Sequence, residues 1–109
     1  MSFRYVWEKS YESIRDLALS DGPVSERLAR AYGNLLRLQS EEDFGGDVTR
    51  GYFEALLAQV EGAADDETCA SAVRAFSASE QRRAGELMLR LYSELERERG
   101  RRDRGVSQP

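Results

Sequence analysis

The sequence contains no histidine, and this absence removes several large classes of enzyme and metal site. Ser-His-Asp and Cys-His nucleophile systems need an imidazole as the base, and many metal centres need it as a ligand. Carboxylates alone could still catalyse, and Glu8, Glu12 and Asp16 share one side of a predicted helix. Because polar residues alternate with them, we expect a solvated surface there. We predict no catalytic residue, no metal and no cofactor.

Cysteine and long apolar runs are also scarce. Cys69 is the single cysteine, so the chain cannot form an intramolecular disulfide, which fits a reducing compartment. Apolar runs fall far short of the about 20 residues that cross a bilayer, and residues 1–5 lack a signal-peptide core. We therefore expect a soluble, cytoplasmic protein that does not enter a membrane.

Lysine is nearly absent, since Lys9 is the only one among 16 basic residues. A bias of this kind towards arginine favours a bacterial protein from a GC-rich genome. The net charge of −4 is unevenly spread: residues 1–80 hold 15 acidic and 8 basic residues, whereas residues 81–109 hold 5 and 8. We expect the two ends of the chain to face different partners or each other.

The sequence does carry apolar residues at helical spacing along most of its length, which predicts an all-α fold. We predict one domain, an antiparallel helical bundle over residues 1–99, with four main helices near residues 2–20, 24–39, 47–61 and 77–99 and a short helix near 70–76. Residues 100–109, rich in arginine and poor in apolar groups, are predicted to form a disordered tail. The first helix has a predicted core stripe of Phe3, Trp7, Tyr11, Ile14, Leu17 and Ala18.

The last helix has the clearest local signals. Ser77 and Glu80 have the spacing of a capping box, in which each side chain accepts the other residue's free backbone N–H. On its solvent side Glu86 is four residues from both Arg82 and Arg90, which predicts ion pairs along the helix.

Residues 28–34 resemble the first helix and turn of a helix-turn-helix DNA-binding unit, with Ala29 and Gly33 at the expected separation. The second helix of such a unit needs apolar residues about six and nine positions after the glycine, where this chain has Gln39 and Glu42. Three acidic residues at positions 41–43 would also be repelled by DNA phosphates. We predict instead one continuous helix through Gly33.

Several apolar residues lie away from the predicted core stripes. They are Tyr5, Leu19, Leu36, Leu57 and Leu89. Their presence on different helices of a small domain favours a second contact surface. The function that we predict is a non-enzymatic protein-binding module, an adaptor or regulatory subunit, that self-associates as a homodimer or binds another protein partner.

Two alternatives stay open. The first is a nucleic-acid-associated regulator that contacts anions through the arginine end of the chain, and the second is an enzyme relying on carboxylates only. The arginine end consists of Arg97, Arg99, Arg101, Arg102 and Arg104. Glu98 and Asp103 interrupt it and no aromatic residue interleaves it, so it generates a weak field and offers no stacking platform for bases.

Overall fold

The computed structural model describes residues 2–61, 63 and 65–106. Over these residues the chain forms five α-helices and no β-strand. The helices are α1 (Ser2–Leu19), α2 (Val24–Leu36), α3 (Asp47–Gln59), α4 (Asp66–Arg74) and α5 (Ala78–Val106). The all-α fold with four longer helices and one short helix is as the sequence predicts.

The turn between α1 and α2 produces a helical hairpin. Gly22 has φ +103°, in the left-handed region that glycine adopts most readily. Pro23 then precedes α2 with φ −68°, close to the value its ring imposes. Arg27 Nη1 donates a hydrogen bond of 2.8 Å to the carbonyl oxygen of Leu17, which ties the start of α2 to the end of α1.

Helix α2 continues through Gly33 without a break, so the continuous helix that we predicted is confirmed. It ends at Leu36, about one turn earlier than expected, and Leu38 is buried in the turn that follows. Tyr32 anchors the helix from inside: its hydroxyl donates a 3.1 Å hydrogen bond to the carbonyl oxygen of Leu56. Burial raises the pKa of Tyr32 well above its ordinary value, so the phenol stays neutral.

Helix α1 is rotated relative to the predicted stripe. Val6, Ser10 and Ser13 are completely buried, whereas Tyr11 is 42% exposed and Ala18 is also exposed. Ser13 Oγ donates a 2.7 Å hydrogen bond to the backbone carbonyl of Ser10, which satisfies its hydroxyl inside the helix. The assignment of Tyr11 and Ala18 to the core was wrong, because it followed apolar character and gave no weight to small polar residues.

The capping box at the start of α5 is confirmed. The backbone N–H of Ser77 donates to Glu80 Oε1 at 2.7 Å, and the N–H of Glu80 donates to Ser77 Oγ at 3.2 Å. The ion pairs predicted around Glu86 do not form among the described residues, since no carboxylate there lies within 4.0 Å of Arg82 or Arg90.

The predicted disordered tail is wrong for residues 100–106, which continue α5 as a helix to Val106. Low apolar content suggested disorder, but glutamate and arginine are good helix formers and here they are spaced three or four residues apart. A single carboxylate, that of Glu98, pairs with both Arg101 and Arg102. The remaining tail residues, 107–109, lie outside the described part.

Helices α1 and α5 run antiparallel. Trp7 lies beside Glu96, with 3.3 Å between the indole nitrogen and Oε2, while a Cβ placed on Gly85 would lie 3.9 Å from Leu17 Cδ2. The core of the bundle is Val6, Leu28, Ala31, Tyr32, Leu35, Leu36, Leu38, Phe44, Phe53, Leu56, Val60, Cys69, Val73, Ala84, Leu87, Met88, Leu91 and Leu95. The antiparallel register brings the N-terminal half of α1 to the C-terminal half of α5.

Candidate binding surface

Aromatic rings from α1 and α5 meet at the outer edge of their interface. Trp7 and Tyr11, one turn apart on α1, are stacked with ring centroids 5.8 Å apart and planes within 8°. Tyr92 of α5 lies 6.5 Å from Trp7 and 6.1 Å from Tyr11. Leu89, one turn before Tyr92 on the same side of α5, is 56% exposed. We call Trp7, Tyr11, Leu89 and Tyr92 the aromatic face.

Glu96 accepts hydrogen bonds from the polar atoms of two of these rings. The Tyr92 hydroxyl donates to Glu96 Oε2 at 2.7 Å, and Trp7 Nε1 donates to the same oxygen at 3.3 Å. The hydrogen bond from Tyr92, followed by that from Arg99, lowers the pKa of Glu96, while burial and the bond to Glu96 raise the pKa of Tyr92 to about 12. The Tyr92 hydroxyl and the indole N–H are therefore satisfied within the chain, and the exposed parts of Tyr11 and Leu89 remain for apolar contact.

A groove of about 410 Å³ continues from Trp7 towards the C-terminal end of α5. Its lining residues are Phe3, Arg4, Trp7, Arg99, Arg102 and Asp103. The Arg99 guanidinium lies 4.9 Å from the Trp7 ring centroid, and that of Arg102 lies 4.0 Å from the Phe3 ring. These cations cover the aromatic rings, which is a favourable arrangement in itself.

Arg102 also connects three parts of the chain. Its two terminal nitrogens donate to both carboxylate oxygens of Asp43 at 3.0 and 2.9 Å, and its Nε donates to Glu98 at 2.8 Å. The Arg102 hydrogen bonds lower the pKa of Asp43, and those of Arg101 and Arg102 lower the pKa of Glu98. The last turns of α5 are thus bound to the loop between α2 and α3.

The arginine end is largely neutralised by this network. Arg97 pairs with Glu94, Arg99 with Glu96 and Asp103, Arg101 with Glu98, and Arg102 with Glu98 and Asp43. Arg104 is engaged as well. Although all five were predicted as anion contacts, four of them are paired with carboxylates of the same chain, which weakens their attraction for a nucleic acid.

The residues predicted as partner contacts do not form one surface. Leu19 is 77% exposed at the end of α1, and Leu89 belongs to the aromatic face. The remaining three predicted contacts, Tyr5, Leu36 and Leu57, were expected to lie away from the core, and this expectation was wrong. Leu36 is only 8% exposed, and Tyr5 and Leu57 are half-buried against the core. A prediction by helical stripe failed for them because each helix contacts more than one neighbour, so its buried side is wider than one stripe.

Sequence reasoning missed the aromatic face itself. It placed Trp7 and Tyr11 in the core and gave Tyr92 no role. The available signal was the spacing of three aromatic residues, Phe3, Trp7 and Tyr11, at four-residue intervals, which aligns their rings along one side of α1. Which side of α1 faces solvent depends on packing against α5 and α2, and spacing alone does not give that.

The rest of the described residues offer little for chemistry. No group of three or more potential metal ligands comes together there. Cys69 is 1% exposed, and burial, with a smaller contribution from Asp66, raises its pKa to about 11, so it stays a neutral thiol near pH 7. The carboxylates of α1 are engaged: Glu8 with Arg4, Glu12 with Lys9, and Asp16 with Asn34.

None of the helices in the described part is both long enough and apolar enough to span a bilayer. Comparison with protein-family models, with curated proteins and with solved structures gives no match for this chain.

Proposed function

We propose that this chain is a non-enzymatic protein-binding module and that the aromatic face is its docking surface. The observation that carries the proposal is a cluster of three partly exposed rings, Trp7 stacked on Tyr11 with Tyr92 tilted against both, beside an exposed leucine. Tryptophan, tyrosine and arginine are the residue types that contribute most to binding energy at protein interfaces. Here all three occur together on one side of the bundle.

The face is suited to binding because it is rigid. Trp7 stacks on Tyr11, Tyr92 packs against both rings, and Glu96 accepts hydrogen bonds from Trp7 and Tyr92. The side chains therefore lose little conformational freedom when a partner covers them, which lowers the entropic cost of association. The apolar surfaces of Tyr11 and Leu89 gain most from being covered, because both are exposed in the free protein.

The proposal is tested by affinity capture from the source organism with matched variants. The double substitution Tyr11→Ser with Leu89→Ser removes the exposed part of the aromatic face. The control pair is Val24→Ser with Val48→Ser, at positions that are 41% and 62% exposed on α2 and α3. Circular dichroism and the unfolding midpoint show whether each protein is folded.

We expect wild-type protein and the control pair to retain the same partner, identified by mass spectrometry. We expect the double variant at the face to lose it, with affinity reduced at least about tenfold, since interface aromatic residues often contribute more than about 1.4 kcal/mol each. Retention of the same partner by the face variant, or capture of no protein by the wild type, would contradict the proposal.

A further inference from the structure

Two arginines beside the aromatic face, on the side towards the turn between α1 and α2, lack the carboxylate partners that neutralise the arginine end. Arg15 follows Tyr11 by one turn, and Arg82 precedes Leu89 by two turns, so each lies on the same side of its helix as that residue. Neither makes an ion pair or a side-chain hydrogen bond within the described part of the chain. The antiparallel register, with Tyr11 beside Tyr92 and Leu17 beside Gly85, places Arg15 level with Leu89.

The acidic groups around this region do not compensate for these charges. Glu12 pairs with Lys9, and Asp16 accepts a hydrogen bond from Asn34. Glu96 is held by Tyr92, Trp7 and Arg99. Two acidic residues nearby make no ion pair in the described part, Glu86 on α5 and Asp21 just after α1, which the register places level with Arg82. They are outnumbered by Arg15, Arg82 and Arg90.

From this arrangement we infer that the occupant of the aromatic face is an acidic amphipathic helix of another protein, an inference that rests on the function proposed above. The partner's apolar residues would cover Tyr11, Leu89 and Tyr92, and its carboxylates would pair with Arg15 and Arg82. Guanidinium groups bind carboxylates through paired hydrogen bonds, so these positions add orientation as well as attraction.

The shape of the face also suits a helix. The part of α5 from Arg82 to Tyr92 spans about 15 Å, or about three helical turns. A partner helix of that length presents apolar residues at i, i+3, i+4 and i+7 along one side, enough to follow the face from end to end.

Charge distinguishes this occupant from two others. A second copy docked through the same face would bring Arg15 and Arg82 of both copies into one interface that has few free carboxylates. A nucleic acid would need a continuous basic surface, whereas the arginines of the arginine end are already paired and the chain carries a net charge of −4.

Trp7 is the single tryptophan of the chain and lies in the face, so its fluorescence reports occupancy directly. The experiment titrates the full chain with two synthetic 18-residue helical peptides that share one leucine stripe. One peptide has glutamate on both flanks of the stripe, and the other has lysine at the same positions. Titrations at low and at physiological salt separate charge attraction from apolar contact.

We expect the glutamate peptide to bind at least about tenfold more tightly than the lysine peptide, with the difference shrinking as salt rises. The double substitution Arg15→Glu with Arg82→Glu is expected to reverse the preference. Arg37→Glu is the control, because Arg37 is also exposed and unpaired but lies just after α2. That variant is expected to keep the wild-type preference.

Equal binding of both peptides, no binding of either, or an unchanged preference in the double variant would overturn the inference. So would stronger binding of a single-stranded oligonucleotide that is lost in that variant, or a dimer in light scattering that it abolishes. The proposed function is judged separately: capture of a partner that depends on Tyr11 and Leu89 supports it even where the acidic peptide fails.

Discussion

The two halves of α5 are both rich in arginine, and they use it differently. In the C-terminal half, Arg99 and Arg102 are stacked on rings of α1 and paired with carboxylates. In the first half, Arg82 and Arg90 have no such partners in the described structure, although Glu86 is four residues from each. Helical spacing makes an ion pair possible, but an isolated exposed pair contributes only about 0.3–0.5 kcal/mol. In the C-terminal half, contacts with the rings of α1 and with Asp43 of the loop before α3 add to the stability of the pairs.

The largest contrast is expected between the core and solvent sides of the same helix. Leu95 is fully buried on the core side of the C-terminal half of α5. The substitution Leu95→Ala should therefore cost about 2–5 kcal/mol of the free energy of unfolding. Leu89 is 56% exposed, and Leu89→Ala should change it by less than about 0.5 kcal/mol. Urea unfolding followed by circular dichroism measures both, and similar losses in the two variants would mean that Leu89 is part of the core.

A smaller change in the free energy of unfolding is expected where the loop before α3 contacts the C-terminal half of α5. Gly45 has φ +83°, and a Cβ there would lie 2.9 Å from Glu98 Cγ and 3.2 Å from Phe3 Cε1. Gly45→Ala should therefore destabilise the protein by about 1–3 kcal/mol. The control is Gly33→Ala, in the interior of α2 with open space around it, which should stabilise by up to about 1 kcal/mol. An unchanged free energy of unfolding in Gly45→Ala would mean that the loop can move away from α5 to make room for the added methyl group.

The smallest change in stability is expected from replacing a single arginine, and one arginine from each half of α5 is compared. Arg102→Ala should cost about 1 kcal/mol at neutral pH through its bidentate pair with Asp43, and Arg82→Ala close to nothing. The folded state lowers the pKa of Asp43 and Glu98, so the contribution of Arg102 is complete above the ordinary carboxyl pKa of about 4 and is lost as the pH falls through the lowered values.

Thermal unfolding of both variants across the range from about pH 7 to pH 2 measures this difference. The curves for wild type and Arg102→Ala should converge in acid, while Arg82→Ala should follow the wild type throughout. A gap that stays constant with pH would mean that Arg102 stabilises the fold through its contact with Phe3 and its packing, and that its charge contributes little.

The accuracy of sequence reasoning differs between α5 and α1. Helix α5 carries bulky apolar residues on one side and a capping box at its start, so the existence and the first turn of this helix are as predicted. Helix α1 buries serines, whose hydroxyls have little intrinsic preference for the interior, and so its rotation was misjudged. The end of α5 was misjudged because ion pairs, with few apolar contacts, hold that segment.

The sequence by itself determined the helical class, the hairpin at Gly22 and Pro23 and the cap at Ser77, because local spacing and backbone preference act over a few residues. It also supplied every side chain of the candidate surface. Only the tertiary structure decided that Trp7, Tyr11 and Tyr92 meet at the surface and that Arg102 is paired while Arg82 is not. Those outcomes depend on how α1 is rotated against α5 and on which distant residue reaches each charge, and both are set by packing across the whole bundle.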